Sequence, residues 1–305
     1  MLAFKEYIKH PNLLGISILE HYGQWLADST YLKLMFRFQM GHRLNLRNPN
    51  TFSEKIQWLK LFNRRPEYTT MVDKYAVKKL VARIIGDEYI IPTLGVWEKP
   101  EDIEWDMLPD QFVLKTTHGG GSEGVVICKD KNTFNKKIAI NKLNVGLKMD
   151  LYQLYREWPY KNVPKRIIAE VYIEPLPETN DLPDYKFFCF NGEPKFCQVI
   201  SGRGSKMCID FYDQDWNHQP FHEPKDYPFA DIQPQRPIQF EKMWQLAGRL
   251  AKDTVFSRID FYNIKQHIYF GEITFYPTSG FGGFNPKKFD DIFGQLIILP
   301  YMKKK

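Results

Sequence analysis

The sequence reads as an α+β chain: a helical N-terminal segment followed by a body rich in strands and interrupted by a few helices. Three observations predict this. Tyr31–Gly41 and Ser53–Asn63 carry apolar residues at helical spacing. From about residue 90 onward the apolar runs become mostly strand-like. Residues 255–276, VFSRIDFYNIKQHIYFGEITFY, alternate apolar and polar side chains in two runs around a polar turn near Asn263–Gln266, the pattern of a two-stranded hairpin.

Taken in order, residues 1–66 read as helical, with Thr51 or Ser53 as an N-cap and Pro49 stopping what precedes. A further helix runs from about Asp73 to Ile85 and ends at Gly86 as a C-cap. IIPTLGVW (90–97) reads as a strand. The strands predicted after it are Phe112–Lys115, Gly124–Lys129, Arg166–Ile173, Asp184–Phe190, Lys195–Ser201, Cys208–Tyr212 and the two arms of the hairpin. Helices are expected at about 133–156 and 237–253. A last one near 286–299 has Asn285 as cap and Pro286 in its first turn. The stretch 220–237 reads as an ordered surface loop restrained by Pro220, Pro224, Pro228, Pro234 and Pro237.

At 305 residues the chain can bury a large core and divide into two or more lobes. Hydrophobic residues make up 43% and charged residues 26%, ordinary for a globular protein, while aromatics reach 15% and suit a sheet-rich core. A net charge of +6, part of it in Lys303–Lys305, fits anionic partners such as nucleotides or a membrane surface and does not point at nucleic acid. Cys128, Cys189, Cys197 and Cys208 form no C-x-x-C pair and read as reduced core residues of a cytosolic protein. The N-terminus MLAFKEYIKH lacks a long apolar run, and no segment approaches bilayer length, so the expected location is cytoplasmic.

The hairpin carries an unusual charge load. Arg258 and Asp260 share one face of its first strand, and Glu272 and Thr274 share one face of its second. A turn centred near Gln266 sets Asp260 across from Glu272 and Arg258 across from Thr274. Two facing carboxylates repel unless a cation sits between them. Mg²⁺ takes oxygen ligands of this kind, commonly one or two carboxylates plus nucleotide phosphates. A solvated sheet face is the competing reading.

Residues 112–128, FVLKTTHGGGSEGVVIC, read as strand, glycine loop, strand. Gly119, Gly121 and Gly124 match G-x-G-x-x-G, but the dinucleotide form of that motif needs a helix directly after the loop, and Val125–Ile127 argue for a strand. A P-loop is excluded because Val125 stands where Lys-Ser/Thr would follow Gly124. A glycine loop between strands suits a flap whose backbone N–H groups approach phosphates. Lys115, ending the first strand, is placed to reach an α- or β-phosphate.

Several segments together resemble the TupA-like branch of the ATP-grasp superfamily. These are NPNTFSEKIQWLK (48–60), DKYAVKKLVARIIGDEYIIPTLGVW (73–97), FVLKTTHGGGSEGV (112–125), DYKFFCFNGEPKF (184–196), SRIDFY (257–262) and FGEITFYPTSG (270–280), in the expected order. The resemblance implies an ATP-grasp fold, two α+β lobes clamping ATP, preceded by a helical segment. The boundaries it suggests are residues 1–88 for that segment, 89–170 for the lobe with the glycine flap and 171–305 for the lobe with the metal-binding hairpin. It implies ATP and Mg²⁺ as cofactors. Lys74 and Lys115 resemble the lysines that hold ATP phosphates, and Gly119, Gly120, Gly121, Ser122 and Gly124 the flap over them. Glu170 resembles the hinge acid near adenine, with the Val171 and Ile173 backbone at the adenine edge, and Asp184 the acid near ribose. Lys186 and Arg258 resemble the cations that meet the transferred phosphoryl group. Asp260 and Glu272 resemble the Mg²⁺ ligands, with Thr274 standing where the branch usually has Asn.

The activity implied is ATP-dependent joining of a carboxylate to an amine through an acyl phosphate, in the synthesis of teichuronopeptide or other surface polysaccharides. The partner is then a small molecule or glycan precursor, with peripheral association to a membrane glycan-assembly machinery left open. Two other readings stand beside it. Asp213-Gln-Asp215 is a D-x-D triplet of the sort that holds Mn²⁺ and a sugar nucleotide in glycosyltransferases, although DQDWN is dense in turn formers. A nucleotide-binding scaffold without turnover is the other.

Overall fold

The computed structural model describes residues 10–176, 182–202, 206–223 and 227–300. Residues 1–9 of the expected helical segment, Pro224 and Lys303–Lys305 lie outside the described residues. The helical segment folds as α1 (Pro11–Tyr22), α2 (Asp28–Met40), α3 (Phe52–Phe62), α4 (Glu67–Val72) and α5 (Ala76–Ile85). Thr51, not Ser53, caps α3. Its hydroxyl accepts from the Glu54 N–H at 3.2 Å, and the Glu54 carboxylate reaches back to the N–H groups of Asn50 and Thr51, a capping box. Ser53 instead donates to Asp290 at 2.9 Å, which ties the start of α3 to the end of the chain. Gly86 closes α5 at φ 126°, a conformation that suits glycine.

Nine strands form two antiparallel sheets among the described residues. β1 (Thr93–Trp97), β2 (Phe112–Thr116), β3 (Val125–Cys128) and β4 (Ile167–Val171) make a four-stranded sheet in the order β1-β4-β2-β3. β5 (Asp184–Phe190), β6 (Glu193–Ser201), β7 (Cys208–Tyr212), β8 (Phe256–Ile264) and β9 (His267–Thr274) make a five-stranded sheet in the order β7-β6-β5-β8-β9. Helices α6 (Lys136–Lys148) and α7 (Leu151–Tyr155) follow β3, α8 (Phe240–Ala251) precedes β8, and α9 (Lys288–Leu296) follows β9.

The alternation read from the hairpin decides which face is dry. Ile259 and Phe261 on β8 are fully buried, and Phe187 of β5 packs edge-on to Phe261 and to Trp244 of α8. The central strand β5 is buried along its whole length, so its polar residues Asp184 and Lys186 are enclosed as well. On the opposite face Phe188 joins Phe211, Phe256 and Phe284. Phe52 of α3 meets Phe256, Phe284 and Phe293, so the helical segment shares the core of the five-stranded sheet. The four cysteines are free and buried, as the sequence predicts.

The hairpin turn is Lys265–Gln266, both in the left-handed region (φ 48° and 62°) as a two-residue hairpin requires. Three expectations need correction. The predicted helix at 133–156 breaks after Lys148, because Asp150 starts a new helix by accepting from the Gln153 N–H at 2.9 Å. Asn285 does not cap α9: its backbone forms an antiparallel bridge with His222, and the helix begins at Lys288. The strand predicted over Arg166–Ile173 stops at Val171, where the pairing with β1 and β2 ends.

Candidate active site

Hairpin register sets the first half of the site. Arg258 pairs with Thr274 and Asp260 with Glu272, the register expected from the sequence, reached here through a bulge because the turn falls on Lys265–Gln266. The β-bulge that follows Asp260 makes Gly271 the extra residue, where an added Cβ would stand 3.1 Å from the Asp260 carbonyl oxygen. Arg258 grips Asp260 in a two-point contact, Nε to Oδ1 at 2.7 Å and Nη2 to Oδ2 at 2.8 Å, and its Nη2 also reaches Glu272 and Thr274 at 3.2 Å each. Lys186 on the neighbouring β5 faces Asp260 across the sheet, bonds to it, and stands 2.9 Å from Asp184. Asp184, Lys186, Arg258, Asp260, Glu272 and Thr274 thus form one charged patch on the five-stranded sheet.

The four-stranded sheet supplies the second half. Lys115 on β2 and Glu170 on β4 are diagonal neighbours on one face, with Nζ to Oε2 at 2.7 Å. The other oxygen of Glu170 takes Lys78 from α5 at 2.5 Å. Glu170 therefore lies enclosed between two lysines. The Val171 N–H is taken by the Pro92 carbonyl at 3.1 Å, and Ile173 lies past the strand end. Val171 sits in an open hollow with Leu94, Gln111, Lys129 and Tyr172, at the end of the sheet opposite the glycine loop.

The glycine loop joins the two halves. Gly124 (φ 72°) packs its Cα against Gly146 of α6, and a Cβ there would fall 2.7 Å from the Thr116 hydroxyl. Gly119 is closed in the same way, 2.5 Å from that hydroxyl, while the tip Gly121–Glu123 is exposed. Lys74 spans the gap: its Nζ donates to the Gly119 carbonyl and stands 3.5 Å from Glu272. Its backbone N–H bonds to Thr117, and the adjoining Asp73 is held by Arg166 at 2.6 Å, so Lys74 is fixed from both sides.

The charges tune one another. Burial alone would raise Glu272, but Lys74, Arg258, Lys186 and Lys115 pull it down to about 2. Burial raises the Asp260 carboxyl, against the pull of Arg258 and Lys186. Burial would lower Lys186 and Lys115, and their carboxylate neighbours outweigh it, so both stand above the ordinary lysine value. In the same way burial acts to raise Glu170, yet Lys115 and Lys78 hold it below its ordinary value.

The residues predicted for this chemistry fall on one of these two faces, on the glycine loop, on the strand end at Val171–Ile173 or, for Lys74, on the turn before α5. Sequence reasoning missed Lys78 and Lys60. Lys78 lies four residues beyond Lys74 and shares its exposure to the β-sheet carboxylates, a spacing that is legible in DKYAVK. Lys60 is fully buried inside α3, and its only signal was a lysine in the run IQWLKLF. The Asp213-Gln-Asp215 triplet is a turn: the Asp213 carboxylate accepts from the N–H groups of Asp215 and Asn217 at 3.0 and 2.8 Å.

The donor chemistry suits a hard divalent cation held jointly with phosphate. Asp260 and Glu272 face each other with the Thr274 hydroxyl 3.3 Å from a Glu272 oxygen, and about a third of Glu272 is open (35%). No cluster of three or more His, Cys, Asp or Glu side chains suited to a metal occurs among the described residues, so remaining ligands would come from the nucleotide or water. No helix among the described residues is long and apolar enough to cross a membrane.

Comparison with curated proteins returns no significant match. Among solved structures the chain is similar to D-alanine–D-alanine ligase from Bacillus anthracis (19% identity over 67% of this chain and 57% of that one, TM-score 0.41). It is also similar to D-alanine–D-alanine ligase from Helicobacter pylori (15%, 76% and 64%, TM-score 0.41). A third is the ATP-grasp ligase PsnB complexed with a phosphomimetic variant of its minimal precursor, Mg and ADP (10%, 97% and 75%, TM-score 0.40). The chain spans less than two thirds of the length of either D-alanine–D-alanine ligase. Residues 54–298, most of the chain, match the family described as TupA-like ATPgrasp, and the chain belongs to that family and has the ATP-grasp fold.

Proposed function

We propose that the chain is an ATP-dependent carboxylate–amine ligase that works through an acyl phosphate. The observation that carries this reading is Lys74, which bonds to the glycine loop and stands beside Glu272, bringing a phosphate-type loop and a carboxylate pair to one place. In this reading Lys74, Lys115 and the Gly119–Gly124 loop hold the triphosphate, and Val171, Ile173 and Asp184 line the nucleoside. Asp260, Glu272 and Thr274 hold Mg²⁺, which when bound neutralises phosphate charge. Arg258 and Lys186 meet the phosphoryl group in flight. They are already aimed into the same patch, and phosphoryl transfer demands mainly such positioning and charge stabilisation. The acid is a uronic acid or related glycan precursor and the amine an amino acid. This substrate assignment rests on the family alone.

The test is mass spectrometry of products formed from ATP, Mg²⁺ and pools of uronic acids and amino acids. ADP, phosphate and an amide are expected only when acid and amine are both present. Asp260→Asn should lower that turnover by about a hundredfold or more; full turnover in this variant would remove Asp260 from the metal site. Consumption of a UDP-sugar in place of ATP would overturn the ligase reading.

A further inference from the structure

The loop that directly follows the hairpin has an unusual backbone. Thr278, Ser279 and Gly280 are three consecutive residues in the left-handed region (φ 48°, 53° and 64°). Such conformations persist in non-glycine residues only where the surroundings dictate them. Here the dictating groups come from the N-terminal segment. Lys60 donates to the Ser279 carbonyl at 2.7 Å and to the Tyr155 carbonyl at 2.9 Å. Gln57, one helical turn earlier on α3, donates to the Ser279 and Gly280 carbonyls at 3.1 and 2.8 Å. The Ser279 hydroxyl in turn donates to Glu157 at 2.6 Å. Both Lys60 and Gln57 are fully buried, and the Lys60 ammonium lies 4.6 Å from the centre of the Phe281 ring.

A buried ammonium is costly unless carbonyls and a counter-charge surround it. A leucine would fill the same space in α3 without that cost, so the lysine does more than pack. Burial presses Lys60 down to about 7, and Glu157 opposes this. The cluster also adjoins the candidate site: burial raises the Tyr160 hydroxyl, and the charges of Glu157, Glu272 and Arg258 all act on it. Only two residues separate Thr274 from Pro277.

We propose that Lys60 and Gln57 are positioning residues, which hold the Pro277–Gly280 loop in its left-handed form beside the Arg258–Asp260–Glu272 patch. Resting on the ligase reading, this makes the N-terminal helical segment a working part of the site: the loop it fixes governs the acyl-transfer step and not nucleotide binding. A purely structural role would lower stability without a selective effect on either step.

The test compares wild type with Lys60→Met/Glu157→Gln, which removes both buried charges together so that neither is orphaned. Hydrogen exchange by mass spectrometry should show residues 277–281 exchanging about tenfold or more faster in the variant, with β5 and β8 unchanged. Calorimetry with MgADP should give an affinity within about twofold of wild type, and product formation from ATP with the acid and amine pools should lose about tenfold or more in kcat at little change in KM for ATP. Unchanged loop exchange, a loosened loop with full kcat, or MgADP affinity falling in step with kcat would each overturn the proposal. If the double variant does not fold, Gln57→Leu, which removes two loop bonds and no charge, takes its place under the same criteria. Wild type that binds MgADP but makes no amide overturns the ligase reading, and the exchange comparison still judges the loop.

Discussion

Glu170→Gln removes one carboxylate oxygen's charge from between two lysines while keeping the side chain's shape. The Glu170 side chain is 7% exposed, and Lys78 and Lys115 approach its two oxygens at 2.5 and 2.7 Å. At an effective dielectric of about 20, each attraction is roughly 6 kcal/mol before the cost of taking the ions out of water, which offsets much of it. Removing one member of such a buried set costs about 3–5 kcal/mol, because the cations left behind are uncompensated and repel each other. For a chain of this size that is about 6–10 °C in melting temperature at pH 7. The pH dependence follows from the sign of the shift. Glu170 is held below its ordinary 4.5, so its contribution is complete above 4.5 and is lost as pH falls below that value toward the folded one. The gap between variant and wild type should therefore be widest near neutrality and narrow in acid. Thermal melts by circular dichroism at a series of pH values measure both effects. A shift under about 1 kcal/mol, or a gap that stays constant into acid, would mean that Glu170 is not the counter-ion of both lysines.

Lys74→Met should weaken MgADP binding about tenfold to a hundredfold by calorimetry, the value of a charge-assisted contact to phosphate, and an unchanged affinity would take Lys74 out of the nucleotide site. Gly124→Ala should destabilise the chain by about 1–2 kcal/mol or more, since a Cβ there meets Thr116 and Gly146 at a positive φ; urea unfolding reads this directly, and a neutral result would contradict the loop geometry. Asp213→Ala should leave ATP turnover intact and cost about 1 kcal/mol or less from the lost turn bonds, whereas loss of turnover with an unchanged fold would reinstate the D-x-D reading.

Local pattern carried much of this chain. Alternation along β8 and β9 put Arg258 with Asp260 and Glu272 with Thr274, but only the bulge at Gly271 turns both pairs to one face, because the Lys265–Gln266 turn by itself would set Asp260 against Gly271. Thr51 or Ser53 marked the start of α3, which Thr51 caps, and Val125–Ile127 argued for the strand that does follow the glycine loop. Failures came where distant chain decides. Asn285 has every local mark of a helix cap, yet a bridge to His222 claims its backbone. The run 133–156 has helical spacing throughout, but Asp150 finds a better use as the cap of a second helix.

Spacing and alternation were thus enough to name most strands, the glycine loop and the charged face of the hairpin, while Lys74, Glu170, Asp184 and Lys186 were singled out only by the family resemblance. Neither pattern nor resemblance could say what each charge touches. Glu170 resembled the hinge acid near adenine, and only the structure shows that it sits between Lys78 and Lys115. Lys60 drew no reading from the sequence and is the buried tie between the N-terminal segment and a left-handed loop more than two hundred residues away. The reason is physical: periodicity fixes which way a side chain leaves its own strand or helix, whereas the partner of a buried charge is set by which two elements pack face to face, and that is decided only when the sheets and helices close on one another.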